Sequence, residues 1–202
     1  MIVGVTLGTA DADAISLPSQ TYSKTMADGT KVTVTRSDEQ ATITPSLGGT
    51  PLHRNGLVSG RYTVNLNKPS PAITVQAGYL VGCQVSLSGV GASGSGTGAS
   101  ALPSDGVTPS GTAGGTLSVG PGQVVTYYVT DWERADAFGA DQHKPVVVYP
   151  NTNHGTLRYV NTSLSVTGCA GYAQARSFVN VWVTNATADQ VVTMYGKPFS
   201  LG

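Results

Sequence analysis

The chain has 202 residues, 40% of them hydrophobic and only 11% charged, where ordinary soluble domains carry roughly a quarter. Its 11 basic residues balance 11 acidic ones, so there is no electrostatic footprint for nucleic acid or an anionic membrane surface. With 26 glycines and much Thr, Val and Ser, the composition favours strands and turns, and the length suits one all-β domain.

Residues 1–14, MIVGVTLGTADADA, join an apolar stretch to small residues ending in Ala-Asp-Ala. They read either as the remnant of a secretory signal with its cleavage site before Ile15, or as an apolar N-terminal strand. Residues 15–202 then make a single domain. No run approaches the roughly 20 apolar residues of a membrane helix, so any spanning would fall to a barrel.

Asp28-Gly29 is a hairpin-type turn, and strict alternation follows from Thr30 to Arg36. Ala41 to Thr44 offers a short strand closed by Pro45. Residues 50–60 read as a turn-rich link into an alternating strand from Arg61 to Asn67. After Pro69 and Pro71, Ala72 to Val81 is strand-like up to Gly82-Cys83.

An arm follows, from Gln84 to Gln123, built of Gly, Ser and Thr. Asp105 is the sole charged residue between Pro69 and Thr130. Polar and apolar residues alternate at its two roots, Gln84 to Ser88 and Thr116 to Val119. Pro103 to Val107 between them has turn chemistry, since Asp and Gly tolerate the positive φ of a tight reversal. The arm therefore reads as a hairpin with limbs Gln84 to Leu102 and Thr108 to Gln123. Each limb would reach about 50–60 Å if straight, whereas a tilted membrane strand needs about 9–11 residues. The same composition also describes a disordered Gly/Ser-rich loop.

Beyond the arm, Gln123 to Thr130 restarts strong β sequence. Asp131 to Lys144 is a charged patch that reads as a loop or a short helix. Strands are expected at Val146 to Tyr149, Leu157 to Thr167, Ala173 to Thr184 and Gln190 to Tyr195. That is an all-β sandwich or barrel.

Catalytic signals are lacking. Gly89 to Gly94 fits G-x-G-x-x-G but is followed by more Gly, Ser and Thr, not by the helix that a dinucleotide site requires. No P-loop or G-x-S-x-G elbow occurs. His53, His143 and His154 are scattered, and the acids pair only within the 131–141 patch, a solvated face. No cofactor or metal is implied, and no enzyme. Cys83 and Cys169 are either a disulfide, as an exported chain would form, or two buried thiols.

Landmarks spread along the chain carry a resemblance. They are Asp28-Gly29 with its strand, Pro51 to Leu57 with Ser59 to Arg61, and Ala77 to Gly82. Gly120-Pro121-Gly122 follows the arm, then Val166 to Gly171 with Arg176 and Phe178, and finally Tyr195 to Phe199. In this order, with the arm in its place, the chain resembles the MspA-family porins of mycobacteria and their nocardial and rhodococcal relatives. The resemblance implies a β-sandwich rim domain with a long β-hairpin arm that joins a shared β-barrel stem in a goblet-shaped homo-octamer. Its setting would be the outer membrane of a mycolic-acid-containing bacterium, with lipid, ions and small hydrophilic solutes as partners.

Carried over, Asp105 with Ser104 would ring the pore constriction and favour cations. Gln84, Ser86, Ser88, Thr116 and Ser118 become candidate lumen-facing stem residues, and Cys83 with Cys169 would fasten the arm's root. Three departures stand out: the arm is shorter than in the mycobacterial porins, its flanks lack an apolar band with aromatic girdles, and Asp131 to Pro150 looks inserted. The alternative is a soluble, secreted cell-envelope binding or scaffolding sandwich with a disordered arm.

Overall fold

The computed structural model describes residues 13–45, 52–84, 116–118, 124–131, 133–135, 141–185 and 188–202. Among these the strands are β1 Asp13–Ser16, β2 Gln20–Thr25, β3 Lys31–Thr44, β4 Arg54–Cys83, β5 Thr116–Ser118 and β6 Val124–Tyr128. There follow β7 Glu133–Ala135, β8 Asp141–His143, β9 Val147–Thr167, β10 Ala173–Thr184 and β11 Asp189–Ser200. No helix is present among the described residues. The all-β expectation holds.

One curled, mainly antiparallel sheet makes the sandwich by bending over on itself. The 30-residue β4 runs through the bend, with β9 antiparallel along one edge from Arg54↔Val166 to Val75↔Val147. On the other edge β3 pairs with β4 up to Leu66, and β10 takes over from Ala72. Pro69 and Pro71 sit between these two pairings, and the β9 register also slips between Asn65 and Ser70. Proline's missing N–H costs little there. The first half of the sheet thus holds β1, β2, β3 and the start of β4, the second half the end of β4 with β6, β10 and β11.

The two halves face each other across a core of Val32, Val34, Val58, Val64, Val75, Val81, Val179 and Val181. Within it lies a polar centre. Arg36 and Glu39 form an ion pair at 2.8 Å, both 1% exposed. In a regular strand, positions three apart face opposite sides. Here the register of β3 shifts between Ser37 and Gln40, with Asp38 at φ 56°, and both charges turn inward. Arg36 Nη1 donates to Ser177 Oγ at 2.9 Å, Nη2 donates to the Pro18 carbonyl, and the Tyr79 hydroxyl donates to Glu39 Oε1. Gly196 lies against this guanidinium, where any Cβ would collide with Arg36 Nη1 and Ser177 Oγ.

Three sequence expectations are corrected. Residues 54–60 belong to β4 and not to a turn-rich link, because Gly60 is an inward strand position whose missing Cβ makes room for the Tyr159 ring. The strands expected at 61–67 and 72–81 are parts of that one strand, as 146–149 and 157–167 are parts of β9. The short-helix reading of 131–144 gives way to β7 and β8, paired antiparallel from Glu133↔His143 to Ala135↔Asp141. Gly139, mid-segment, costs a helix about 1 kcal/mol. Strand β1 pairs with the end of β3, Ala14 opposite Thr42 and Ile15 opposite Ala41.

Candidate functional site at the root of the arm

The arm leaves and re-enters the sheet at adjacent points. β4 ends at Cys83, and β6, the first strand after the arm, lies antiparallel to it with Val124 opposite Gly82. The described residues on either side of 85–123 thus lie on neighbouring antiparallel strands. The Gln84 N–H donates to the Tyr172 carbonyl at 2.9 Å, and the Gln84 side chain is exposed.

Cys83 and Cys169 form a disulfide with Cα atoms 5.8 Å apart, so the two-thiol alternative falls. It ties the end of β4 to the β9–β10 loop. The Cys169 N–H donates to the Leu52 carbonyl at 2.9 Å. Nearby, Arg54 Nε donates to the Gly202 carbonyl at 3.2 Å, and its Nη2 reaches toward the Gly171 carbonyl. One guanidinium thereby joins the start of β4, the β9–β10 loop and the C-terminal residue.

Of the candidate lumen-facing residues, Thr116 and Ser118 lie on β5, whose backbone pairs in parallel with β9, Thr116 opposite Ser165 and Ser118 opposite Thr167. Gln84, Thr116 and Ser118 are therefore gathered at the arm's foot. Ser86, Ser88, Ser104 and Asp105 lie outside the described residues, as does the glycine motif at 89–94.

A groove of about 520 Å³ opens at this foot, lined by Leu80, Cys83, Gln84, Val124, Tyr172 and Arg176. Val124 and Tyr172 are 63% and 51% exposed. Arg176, the charged residue among the described ones that line the groove, donates from Nε to the Gly196 carbonyl at 2.9 Å and lies over the Tyr195 ring, 4.9 Å from its centroid.

At the opposite end of the sheet, Asp28 clasps the halves together. Its carboxylate accepts from the Thr30 N–H and hydroxyl, from Asn185 Nδ2 at 2.7 Å and from Gln190 Nε2, and pairs with Lys68. The Thr30 bonds, followed by Lys68, hold its pKa well below the usual carboxylate range. In the polar centre, burial pushes the Glu39 carboxyl up against the opposing pull of Arg36.

The histidines do not converge: His154 bonds Asn65 Oδ1 through Nδ1 at 2.8 Å on the outer surface. No group of three or more His, Cys, Asp or Glu able to hold a metal occurs among the described residues. Sequence reading missed the Arg36–Glu39 pair, since only the Asp38 bulge brings those residues together. A sequence model of the family described as MspA matches residues 28–200. No curated protein matches the chain.

Proposed function

From this chain's membership of the MspA family, a match that takes in most of its length, we propose that it is a subunit of an outer-membrane porin. The reading assigns it a homo-oligomer, an octamer by family resemblance, in the outer membrane of a mycolic-acid-containing bacterium. There the hairpin arms of 84–123 close a shared barrel that passes ions and small hydrophilic solutes. The family match carries the proposal, and the foot geometry agrees with it, since the two limbs of a stem hairpin must leave the sheet side by side, as the Gly82↔Val124 pairing allows.

Asp105, with Ser104 beside it, is assigned to the constriction, where repeated copies focus a negative potential in a narrow, low-dielectric mouth and favour cations. Gln84, Ser86, Ser88, Thr116 and Ser118 are assigned to the water-facing side of the stem. Cys83–Cys169 anchors that stem to the rim. The reading involves no catalysis and no cofactor.

The test is single-channel conductance of the full chain in a planar lipid bilayer. Uniform current steps with cation preference are expected, and Asp105→Asn is expected to reduce that preference without lowering the number of channels formed. Silence from protein shown to be folded would sink the pore. Unchanged selectivity in Asp105→Asn would sink the constriction assignment alone.

A further inference from the structure

Strand β10 carries apolar side chains on both faces. Val179, Val181 and Val183 point into the core, while Phe178 and Trp182 occupy the opposite face with Asn180 between them. Two large aromatic side chains on an otherwise polar outer face set β10 apart from the strands of the first half. Across the second half of the sheet the registers align these outer residues in rungs. One runs Val148, Thr74, Trp182, Val191, and another runs Tyr128, Gly78, Phe178, Tyr195. Phe178 and Tyr128 meet edge to face over the bare Gly78, ring centroids 6.0 Å apart. Val148, Val191 and Tyr195 stay 52%, 44% and 45% exposed.

We infer that this aromatic outer face is the seat of a second copy of the same chain, and so the rim interface of the oligomer. The inference rests on the porin reading. Three observations favour a second copy as the occupant. The face is continuous with the groove at the arm's foot through Leu80 and Val124, and neighbouring arms in a shared stem bring that region of two copies together. Arg176, beside these rungs, is already engaged by the Gly196 carbonyl and the Tyr195 ring, so covering the face with a like copy does not strand that charge. Between the apolar rungs runs a hydrogen-bonded polar row, in which Thr193 Oγ1 donates to Asn180 Oδ1 at 2.8 Å and Asn180 Nδ2 donates to Gln76 Oε1 at 3.2 Å. Such a row suits a protein interface with its interspersed polar contacts and disfavours acyl chains, where polar groups are costly.

The test compares oligomeric state in detergent, by light scattering coupled to gel filtration, for wild type, Val148→Arg/Val191→Arg and Thr35→Arg/Thr63→Arg. The last pair charges the outer face of the first half. Circular dichroism establishes that each is folded. The inference expects the valine variant to dissociate at protein concentrations at least tenfold higher than wild type, with the threonine variant assembling as wild type does. Trp182, kept as the lone tryptophan by Trp132→Phe, is expected to be several-fold less quenched by acrylamide in the oligomer than after dilution to monomer. A folded valine variant that assembles normally, or a Trp182 equally quenched in both states, overturns the inference and leaves the pore standing if channels still form. A wild-type monomer without conductance overturns both.

Discussion

The two outer faces of this one sheet are built to opposite rules. On the first half, rungs of short polar side chains cross four strands. Ser23, Thr33, Asn65 and His154 make one, and Thr21, Thr35, Thr63 and Thr156 the next. They satisfy each other, with Ser23 Oγ to Thr33 Oγ1 at 2.9 Å, Thr21 Oγ1 to Thr35 Oγ1 at 3.2 Å, and His154 bridging Asn65 and Thr156. On the second half, the same β4 and β9 pass among Phe178, Trp182, Tyr128 and Tyr195. Water is an adequate neighbour for the first face. The second leaves apolar surface that gains by being covered, at about 25 cal/mol for each Å². An antiparallel sheet can keep one solvated face; here the bend at 66–72 lets a single sheet keep one wet face and offer one sticky one.

The sharpest way to break this comparison is to unfasten the halves. Replacing Cys83 and Cys169 by serine opens a closure spanning 86 residues, and the expected loss of unfolding free energy is about 4 kcal/mol, read by urea titration of the monomer. Next in size, Phe178→Ala is expected to cost about 3 kcal/mol although it sits on an outer face, because the ring is only 5% exposed. Thr63→Ala, on the hydroxyl face, is expected to cost about 0.5 kcal/mol. Equal costs would erase the distinction between the faces.

Smallest is the effect of the Asp28 clasp, which appears in acid. Its carboxyl titrates below its ordinary value of 3.8 in the folded chain. Its stabilisation is therefore complete above that value and is lost as pH falls from there through the folded value. Urea midpoints taken between pH 5 and 2 (roughly the window this linkage sets) are expected to fall less steeply in Asp28→Asn than in wild type. Parallel curves would remove Asp28 from the account.

Much of the architecture was legible in the sequence. β10 matches its expected bounds from Ala173 to Thr184, and β3 begins within a residue of its expected start, because strict alternation against one core writes itself into the chain. What misled was punctuation. Gly60 and the two prolines look like breaks, yet Gly60 makes room for a tyrosine ring and the prolines occupy the one bend where β4 changes partners. β2 is exposed at every position, so it has no burial pattern for a reader to find. The disulfide was one of two readings that spacing left open, because pairing depends on the fold bringing distant residues within reach. The aromatic face was in plain sight as Phe178-Val179-Asn180-Val181-Trp182-Val183, with Phe178 and Trp182 in phase opposite the valines, but only the registers collect Val148, Tyr128 and Tyr195 beside it.

β4 also has a mechanical meaning. The arm is the direct continuation of a strand that runs the length of the sheet, and its neighbours bond to it at right angles along nearly all of that run. Tension on the arm along that axis is shared by many bonds in shear at once; peeling would have to break them one after another. The sheet grips the chain beyond Cys83 as a lap joint does, through overlap and not through a single seam.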